Sequence, residues 1–290
     1  MKNNKYFKCF LFVILMLTSS VAGARNLWKG KMVLQNWNDH IVLLSGALKN
    51  ISFGDKITVT ITDVTGTGGV DDYPIVVVKT STKFKNIDDW PLIATTLNGL
   101  LNGKTELEFY VTYDILDMLR KYGLIVQGAY CTITSVDVVS TKYSHDGDFA
   151  DAIWMGNVPF QYWANYVLVP NLQWQLSGAK AGDVMRIKYE ITAADDAPGI
   201  KLGYLSQKDW SWIDFGKFVR DSIPADKKGY IDIPLTDEFM DVWGHYDKCH
   251  SALIRGRNVN ITTILLYDKN GKELRRKKNL KIVEATYDNL

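Results

Sequence analysis

Alternation of apolar and polar residues is the main pattern along this chain. Residues 57–62 read Ile-Thr-Val-Thr-Ile-Thr, and residues 107–111 and 185–191 alternate in the same way. A period of two puts one set of side chains on the buried face of a β-strand and the other set on its solvent face. The pattern therefore predicts an all-β protein.

Two long runs near the ends of the two sequence halves change phase once. Residues 131–133 are apolar in one phase and residues 136–138 in the other, and the same shift recurs between residues 259–261 and 264–266. One extra residue in a strand, a β-bulge, produces such a shift. We therefore expect a bulge at the same point of both strands.

One short helix interrupts the strands of each half. Thr112 can cap a helix that Gly123 ends, and Thr236 and Gly244 bracket the matching segment. Many short strands with Gly-rich turns and one small helix are typical of a β-sandwich. About 120 residues per half fit an eight-stranded jelly roll.

Short blocks of sequence recur in one order in both halves, which indicates an internal repeat. The matching blocks are 27–30 with 153–156, 35–37 with 161–163, 54–55 with 182–183, 89–90 with 209–210, 125–128 with 253–256, and 132–134 with 260–262. The chain is therefore predicted to contain two tandem jelly-roll β-sandwich domains, residues 25–140 and 152–290, joined by a polar linker over 141–151.

The repeated blocks also resemble a known group of proteins. The opening Trp28-Lys29-Gly30, the Gly-Asp pair at 54–55 before an alternating strand, and residues 123–139 resemble a secreted module of gut-type Bacteroidota. That module belongs to the galactose-binding-like jelly rolls, a superfamily rich in carbohydrate-binding modules. The resemblance implies a jelly-roll fold and a glycan ligand, although adhesion and structural proteins share this fold.

The first 24 residues have the pattern of an export signal. Lys2, Lys5 and Lys8 precede an apolar run over 10–17, and residues 22–24 read Ala-Gly-Ala, a small-residue cleavage site. The apolar run is shorter than the ~20 residues that span a bilayer. We expect cleavage after residue 24 and export to the periplasm, the cell surface or the medium, with no membrane span.

Charge and cysteine content narrow the function further. Without the signal segment, 31 of the 34 basic residues remain against 32 acidic ones, so no basic field is expected to hold nucleic acid. Cys131 and Cys249 fall in different halves, which favours two free thiols over a disulfide.

The nine tryptophans can be either core or sugar platforms. A pyranose stacks its C–H face on an aromatic plane while polar neighbours bond its hydroxyls. Trp28 and Trp154 begin strands beside apolar residues and are predicted to pack in the core. Tryptophans in polar, loop-like stretches and planar polar side chains beside repeated glycines are the better binding candidates. The predicted ligand-binding residues are Trp37, Trp90, Trp163, Trp210, Trp212, Gln127 and Arg255.

Trp210 and Trp212 are two residues apart, so their rings would face the same side if the segment is extended. The first half has Leu92 where the second has Trp212. We therefore expect the second half to be the stronger sugar binder.

Catalytic and metal-binding patterns are weak. Jelly-roll glycosidases use a pair of catalytic carboxylates. Glu106 and Glu108 share a strand face and Asp232 lies near another strand, but neither motif recurs in the other half. Nucleophile-elbow, P-loop and HExxH patterns are absent. We expect no catalytic residues.

No cofactor is expected either. The H-x3-C-H pattern at 245–250 offers too few ligands for zinc, and its residues are predicted to lie in a solvated loop. Asp137, Asp268 or linker carboxylates could supply oxygens to a structural calcium ion, but their spacing does not require one.

The leading hypothesis is an exported, non-catalytic carbohydrate-binding protein that stacks polysaccharide or oligosaccharide on tryptophans of two tandem modules. The main alternative is a structural or adhesion protein of the cell envelope, with an envelope protein as its partner and its tryptophans in the core. A glycoside hydrolase or lyase of unusual type ranks third. Solvent exposure of the candidate tryptophans separates the first two hypotheses.

Overall fold

β-Strands dominate the computed structural model of the chain. It describes residues 23–69, 71–80, 83–85, 92–96, 100–101, 103–141, 152–160, 166–192, 198–216, 223–224, 229–245, 247–274 and 283–285. Residues 1–22 of the predicted signal segment, residues 142–151 of the predicted linker, and the candidates Trp90 and Trp163 lie outside the described residues.

The elements follow the repeat. The first half contains β1 (Arg25–Leu34), β2 (His40–Leu43), α1 (Ser45–Leu48), β3 (Lys56–Thr62), β4 (Ile75–Thr80), β5 (Lys83–Lys85), β6 (Leu92–Thr95), β7 (Glu106–Tyr110), α2 (Tyr113–Tyr122), β8 (Leu124–Ala129) and β9 (Cys131–Val139). The second half contains β10 (Trp154–Phe160), β11 (Tyr166–Pro170), α3 (Asn171–Ser177), β12 (Val184–Ile191), β13 (Gly199–Ser206), β14 (Trp212–Asp214), β15 (Ile223–Pro224), β16 (Tyr230–Pro234), α4 (Asp237–Trp243), β17 (Cys249–Arg257) and β18 (Val259–Tyr267). The last strand, β19 (Val283–Ala285), pairs with β5 of the first half.

Each half is a sandwich of two antiparallel four-stranded sheets. The first half has the orders β1-β9-β3-β7 and β2-β8-β4-β6, and the second has β10-β18-β12-β16 and β11-β17-β13-β14, with β15 added beside β13. If β5 and β15 are set aside and each half is numbered from its first strand, both halves read 1-8-3-6 and 2-7-4-5. That is the strand order of a jelly roll. The predicted all-β fold of two jelly-roll sandwiches is confirmed.

The predicted bulges lie in β9 and β18. Thr134 is the extra residue of β9 opposite β3, and Thr262 is the extra residue of β18 opposite β12. At each bulge the alternation of side chains between the two faces of the sheet shifts by one residue. Ile133 and Val136 are therefore both fully buried although they are three positions apart. The phase change in the sequence therefore marks a real backbone feature.

The helix caps agree with the sequence signals. The Thr112 hydroxyl oxygen accepts a hydrogen bond from the Ile115 amide, and Gly123 ends α2 at φ 88°. The Thr236 hydroxyl oxygen accepts from the Phe239 amide at 3.2 Å at the start of α4. Each half also has a second short helix, α1 or α3, between its second and third sandwich strands, which the periodicity did not indicate.

The W-x-G motif has a packing explanation. A Cβ atom on Gly30 would lie 2.8 Å from the Trp28 indole, and a Cβ atom on Gly156 would collide with the indole of Trp154. The glycines thus leave room for each indole to lie across its own strand. Both tryptophans are partly buried and pack against the cores, so the prediction that they are core residues is met in part.

The two halves share an apolar interface. In β4, Val76 and Val78 point into the core of the first half, whereas Ile75 and Val77 belong to a separate cluster with Leu205 of the second half. Side chains alternate between the faces of a strand, so this sheet is covered on both sides. The sheets β2-β8-β4-β6 and β11-β17-β13-β14 therefore meet by their outer faces.

Two smaller expectations concern thiols and membrane spans. Cys131 and Cys249 are buried and are not joined by a disulfide, as predicted, and burial raises the pKa of the Cys131 thiol to about 12. Within the described part of the chain, none of the helices combines the length and the apolar character that crossing a membrane requires.

Candidate functional site

Four of the seven predicted binding residues line one cleft between the two halves. Trp37 and Gln127 come from the first half, and Trp210 and Trp212 come from the second. The cleft has a volume of about 1070 Å³, enough for an oligosaccharide of a few units. Arg255 does not belong to its described lining.

Five segments build the walls of the cleft. The loop after β1 and the end of β8 form one wall with the loop before β4, while the turn between β13 and β14 and one residue of β17 form the other. The lining residues are Asn36, Trp37, Asn38, Gly68, Gly69, Asp71, Tyr73, Ile75, Gln127, Ala129, Tyr130, Gln207, Asp209, Trp210, Ser211, Trp212 and His250.

Trp37 is the most exposed ring of the cleft, with 39% of its surface accessible. Its loop is shaped by Asn36, whose side-chain oxygen accepts a hydrogen bond from the Asn38 amide at 2.9 Å. The Gln127 side-chain amide donates to the Trp37 carbonyl and ties the loop to β8. Trp37 therefore offers an accessible indole on a locally ordered backbone.

Trp210 lies in the turn that faces Trp37. The two ring centroids are 6.5 Å apart and the planes are inclined by 31°. Trp210 has φ 57°, in the left-handed region that side-chain-bearing residues rarely adopt. The Asp209 carboxylate, which accepts hydrogen bonds from the Ser211 hydroxyl and amide, stabilises this turn, and those bonds lower the pKa of Asp209.

The backbone at Trp210 is therefore not extended, so the condition for the expected platform of two neighbouring rings is not met. Trp212 instead begins β14, where its ring meets the Tyr166 ring edge-on at 5.0 Å. The Arg255 guanidinium lies 5.6 Å from the Trp212 ring centroid and pairs with the Asp214 carboxylate. Trp212 thus serves both the interface between the halves and the cleft, and Arg255 is held in an ion pair.

His250 is a site residue that sequence reasoning missed. The H-x3-C-H pattern predicts solvated loop residues, but His250 lies in β17 and is only 5% exposed. It is the extra residue at a bulge, because Leu205 pairs with Ser251 and the next residue of β13 pairs with Cys249. The bulge re-aims the imidazole toward the cleft, where it stacks on Trp210 at a centroid distance of 3.9 Å.

Two buried polar atoms of the cleft have no hydrogen-bond partner. They are Nε2 of His250 and Oε1 of Gln127. A buried polar atom without a partner costs about 1–3 kcal/mol. Both atoms are shielded from solvent, so a ligand hydroxyl reaches them only when the surrounding side chains move. Burial also lowers the pKa of His250 to about 4, so its imidazole is uncharged near neutral pH.

Of the three carboxylates considered for catalysis, two are paired and Glu106 is exposed on β7. Glu108 pairs with Lys56, and Asp232 accepts two hydrogen bonds from the Arg186 guanidinium at 2.6 and 2.7 Å. Neither acidic residue belongs to the described cleft lining.

The carboxylates considered for calcium have local partners. Asp137 accepts hydrogen bonds from Asn26 and Ser135, and Asp268 accepts from the backbone amides of its own turn. Among the described residues, no three His, Cys, Asp or Glu side chains converge as metal ligands would.

Comparisons with known proteins give weak similarities only. No protein-family profile and no curated protein matches this chain. Among solved structures, a Bacteroides ovatus protein described as mixed-linkage glucan utilization locus SGBP-B in complex with a mixed-linkage heptasaccharide is 11% identical, with a TM-score of 0.29. That match covers 74% of this chain and 50% of the other, so this chain spans about half the length of that protein.

Two further structures have similar coverage of both chains. The tandem CBM22-1-CBM22-2 domain of Paenibacillus barcinonensis Xyn10C is 8% identical, covers 83% of this chain and 85% of its own, and has a TM-score of 0.21. A secreted protein of Parabacteroides distasonis is also 8% identical, covers 86% and 84%, and has a TM-score of 0.21. At these TM-scores the likeness carries no weight for function.

Proposed function

We propose that this chain is an exported, non-catalytic carbohydrate-binding protein and that it holds an oligosaccharide segment in the cleft between its two jelly-roll halves. Trp37 supplies the main stacking face, with Trp210 and Trp212 beside it. Gln127 and His250 supply hydrogen bonds to sugar hydroxyls. Trp90, Trp163 and Arg255 remain candidates by sequence only.

The observation that carries this proposal is the meeting of aromatic faces and unpartnered polar atoms in one cleft. Sugar recognition needs a flat apolar surface for ring C–H groups and a few fixed polar groups for hydroxyls. Trp37 meets the first need. The side chains of His250 and Gln127, whose buried Nε2 and Oε1 lack partners, are the polar groups that we expect to turn toward a sugar.

Because both halves line the cleft, the number of binding sites expected per chain changes. The sequence suggests one site per module with a stronger second copy, whereas the described candidates Trp37, Trp210 and Trp212, from both halves, line one cleft. We therefore expect one principal binding event per chain.

Affinity electrophoresis against a panel of soluble polysaccharides tests the proposal. Wild-type protein should be retarded by at least one polymer, and Trp37→Ala should lose most of that retardation. Losing one exposed stacking ring removes about 1–3 kcal/mol, roughly a ten- to hundredfold change in affinity. Tyr230→Ala is the matched control, because Tyr230 is an equally exposed aromatic residue on β16, outside the cleft lining.

Two outcomes would favour the other hypotheses. If no polymer retards the wild-type protein, the structural or adhesion role becomes the better explanation. If reducing ends are released from a polymer and Glu108→Gln or Asp232→Asn abolishes the release, the protein is a hydrolase or lyase.

A further inference from the structure

We infer that the cleft selects uncharged glycans and rejects acidic ones such as polyuronates. This inference rests on the proposed function and adds the chemical class of the ligand. It follows from the charges and the unpartnered polar atoms along the cleft walls.

The charge of the cleft lining has one sign. Among the described lining residues, Asp71 and Asp209 are the acidic side chains, and none is lysine or arginine. Proteins that bind carboxylates or sulfates normally present guanidinium or ammonium groups to them. The described walls present carboxylates instead, so a ligand carboxylate would meet like charges.

The cations around the cleft are used elsewhere or lie outside its lining. Arg255, next to Trp212, is paired with Asp214. Lys248 precedes β17 and donates to the Asp241 carboxylate at 2.7 Å. Lys208 is exposed and stands outside the lining. Arg255 and Lys248 are therefore committed to other carboxylates, and the charge of Lys208 favours the ionised form of Asp209, its neighbour, and so lowers the pKa of Asp209.

His250 could in principle supply the missing positive charge, but its surroundings oppose this. The imidazole is buried, and its ring lies against Trp210. Burial keeps the pKa of His250 near 4, so the ring is neutral at the pH where acidic sugars are ionised. A neutral imidazole suits a hydroxyl, which both donates and accepts.

Gln127 completes the same chemistry. Its Oε1 is a buried acceptor without a partner, whereas its Nε2 is committed to the Trp37 carbonyl. A sugar hydroxyl can donate to this oxygen, but an ionised carboxylate has no hydrogen to donate. A ligand carboxylate that took the place of the hydroxyl facing Gln127 would therefore leave Oε1 unsatisfied, as well as being repelled by Asp71 and Asp209.

Matched pairs of polymers test the inference. Hydroxyethyl cellulose and carboxymethyl cellulose share a glucan backbone, and β-1,4-mannan and β-1,4-mannuronate oligosaccharides share their linkage and ring configuration. Binding is measured for the full chain by affinity electrophoresis for the polymers and by calorimetry for the oligosaccharides. Within whichever pair binds, we expect the neutral member to bind at least tenfold more tightly, and the ratio to narrow in high salt, which screens repulsion.

A charge variant separates electrostatic rejection from steric rejection. The double variant Asp71→Asn, Asp209→Asn keeps a side-chain oxygen for the turn at Ser211 but removes both charges. The preference for the neutral member should fall several-fold in this variant. If the double variant does not fold, as judged by its melting curve, the salt dependence of the wild-type ratio decides the question.

The failures of the inference and of the proposed function look different. Equal or tighter binding of the acidic member, or a preference that neither salt nor the double variant changes, overturns the inference and leaves carbohydrate binding intact. Absence of binding to every neutral and acidic probe overturns both.

Discussion

Because His250 is buried and neutral, we expect the stability of the folded chain to depend on pH. Burial lowers its pKa from 6.5 to about 4 in the folded chain. Because the folded-state pKa is the lower one, the unfolded chain binds more protons between those two values. Above pH 6.5 the histidine is neutral in both states and costs the folded chain no stability. As the pH falls from 6.5 to about 4, the free energy of unfolding falls with it.

The size of the effect follows from the shift. Each unit of pKa difference corresponds to about 1.4 kcal/mol, so complete protonation through this window removes on the order of 3 kcal/mol of stability. That is a large part of the 5–15 kcal/mol typical of folded proteins, taken as a rough guide. Carboxylates elsewhere also change stability with pH, so the measurement needs a variant that lacks only this titration.

The assay compares the wild-type protein with His250→Gln, which keeps a polar side chain but cannot titrate. Urea unfolding is measured at about pH 7 and about pH 4.5, and the wild-type protein should lose 2–3 kcal/mol more than the variant, to order of magnitude. The histidine ring resonances, followed by NMR, report the pKa directly. An equal loss in both proteins, or a His250 resonance that titrates near 6.5, would refute the desolvated position described here.

Three further predictions concern packing. Gly30→Ala should lower the free energy of unfolding by about 1–3 kcal/mol, because its methyl group meets the Trp28 indole. Gly46→Ala is the control, because a methyl group there meets nothing within 4 Å and should be tolerated. Equal effects of the two variants in urea unfolding would contradict the packing explanation of the W-x-G motif. Both cysteine thiols should resist a thiol reagent until the protein unfolds, so fast labelling of the native protein would be unexpected. Residues 25–140 and 152–290, expressed separately, should each unfold cooperatively yet bind a hydrophobic dye, because their shared interface becomes exposed; if neither folds, the predicted boundary is wrong.

Local signals in the sequence predicted the features that depend on neighbouring residues. The period of two predicted the strands, the phase change predicted the bulges at Thr134 and Thr262, and Thr112 and Gly123 predicted the limits of a helix. Each of these features is determined by residues a few positions apart. The repeat then extended the result from one half to the other.

The packing of the halves needed information that periodicity does not carry. The run Ile75–Val78 is continuously apolar, which is typical of a strand buried on both faces, but the sequence does not say what covers the second face. His250 was missed for a related reason. Its orientation depends on a bulge in β17 and on the turn around Trp210, both of which are set by the partner strand β13.

The contact between the outer faces of the two sheets has a consequence for how this protein can evolve. A single module released from its twin would expose an apolar sheet, so neither copy can be inherited, lost or recombined alone without first gaining polar substitutions on that face. Selection therefore acts on the pair. Each copy is free to change on its own side of the cleft, while the shared strand order keeps the repeat visible.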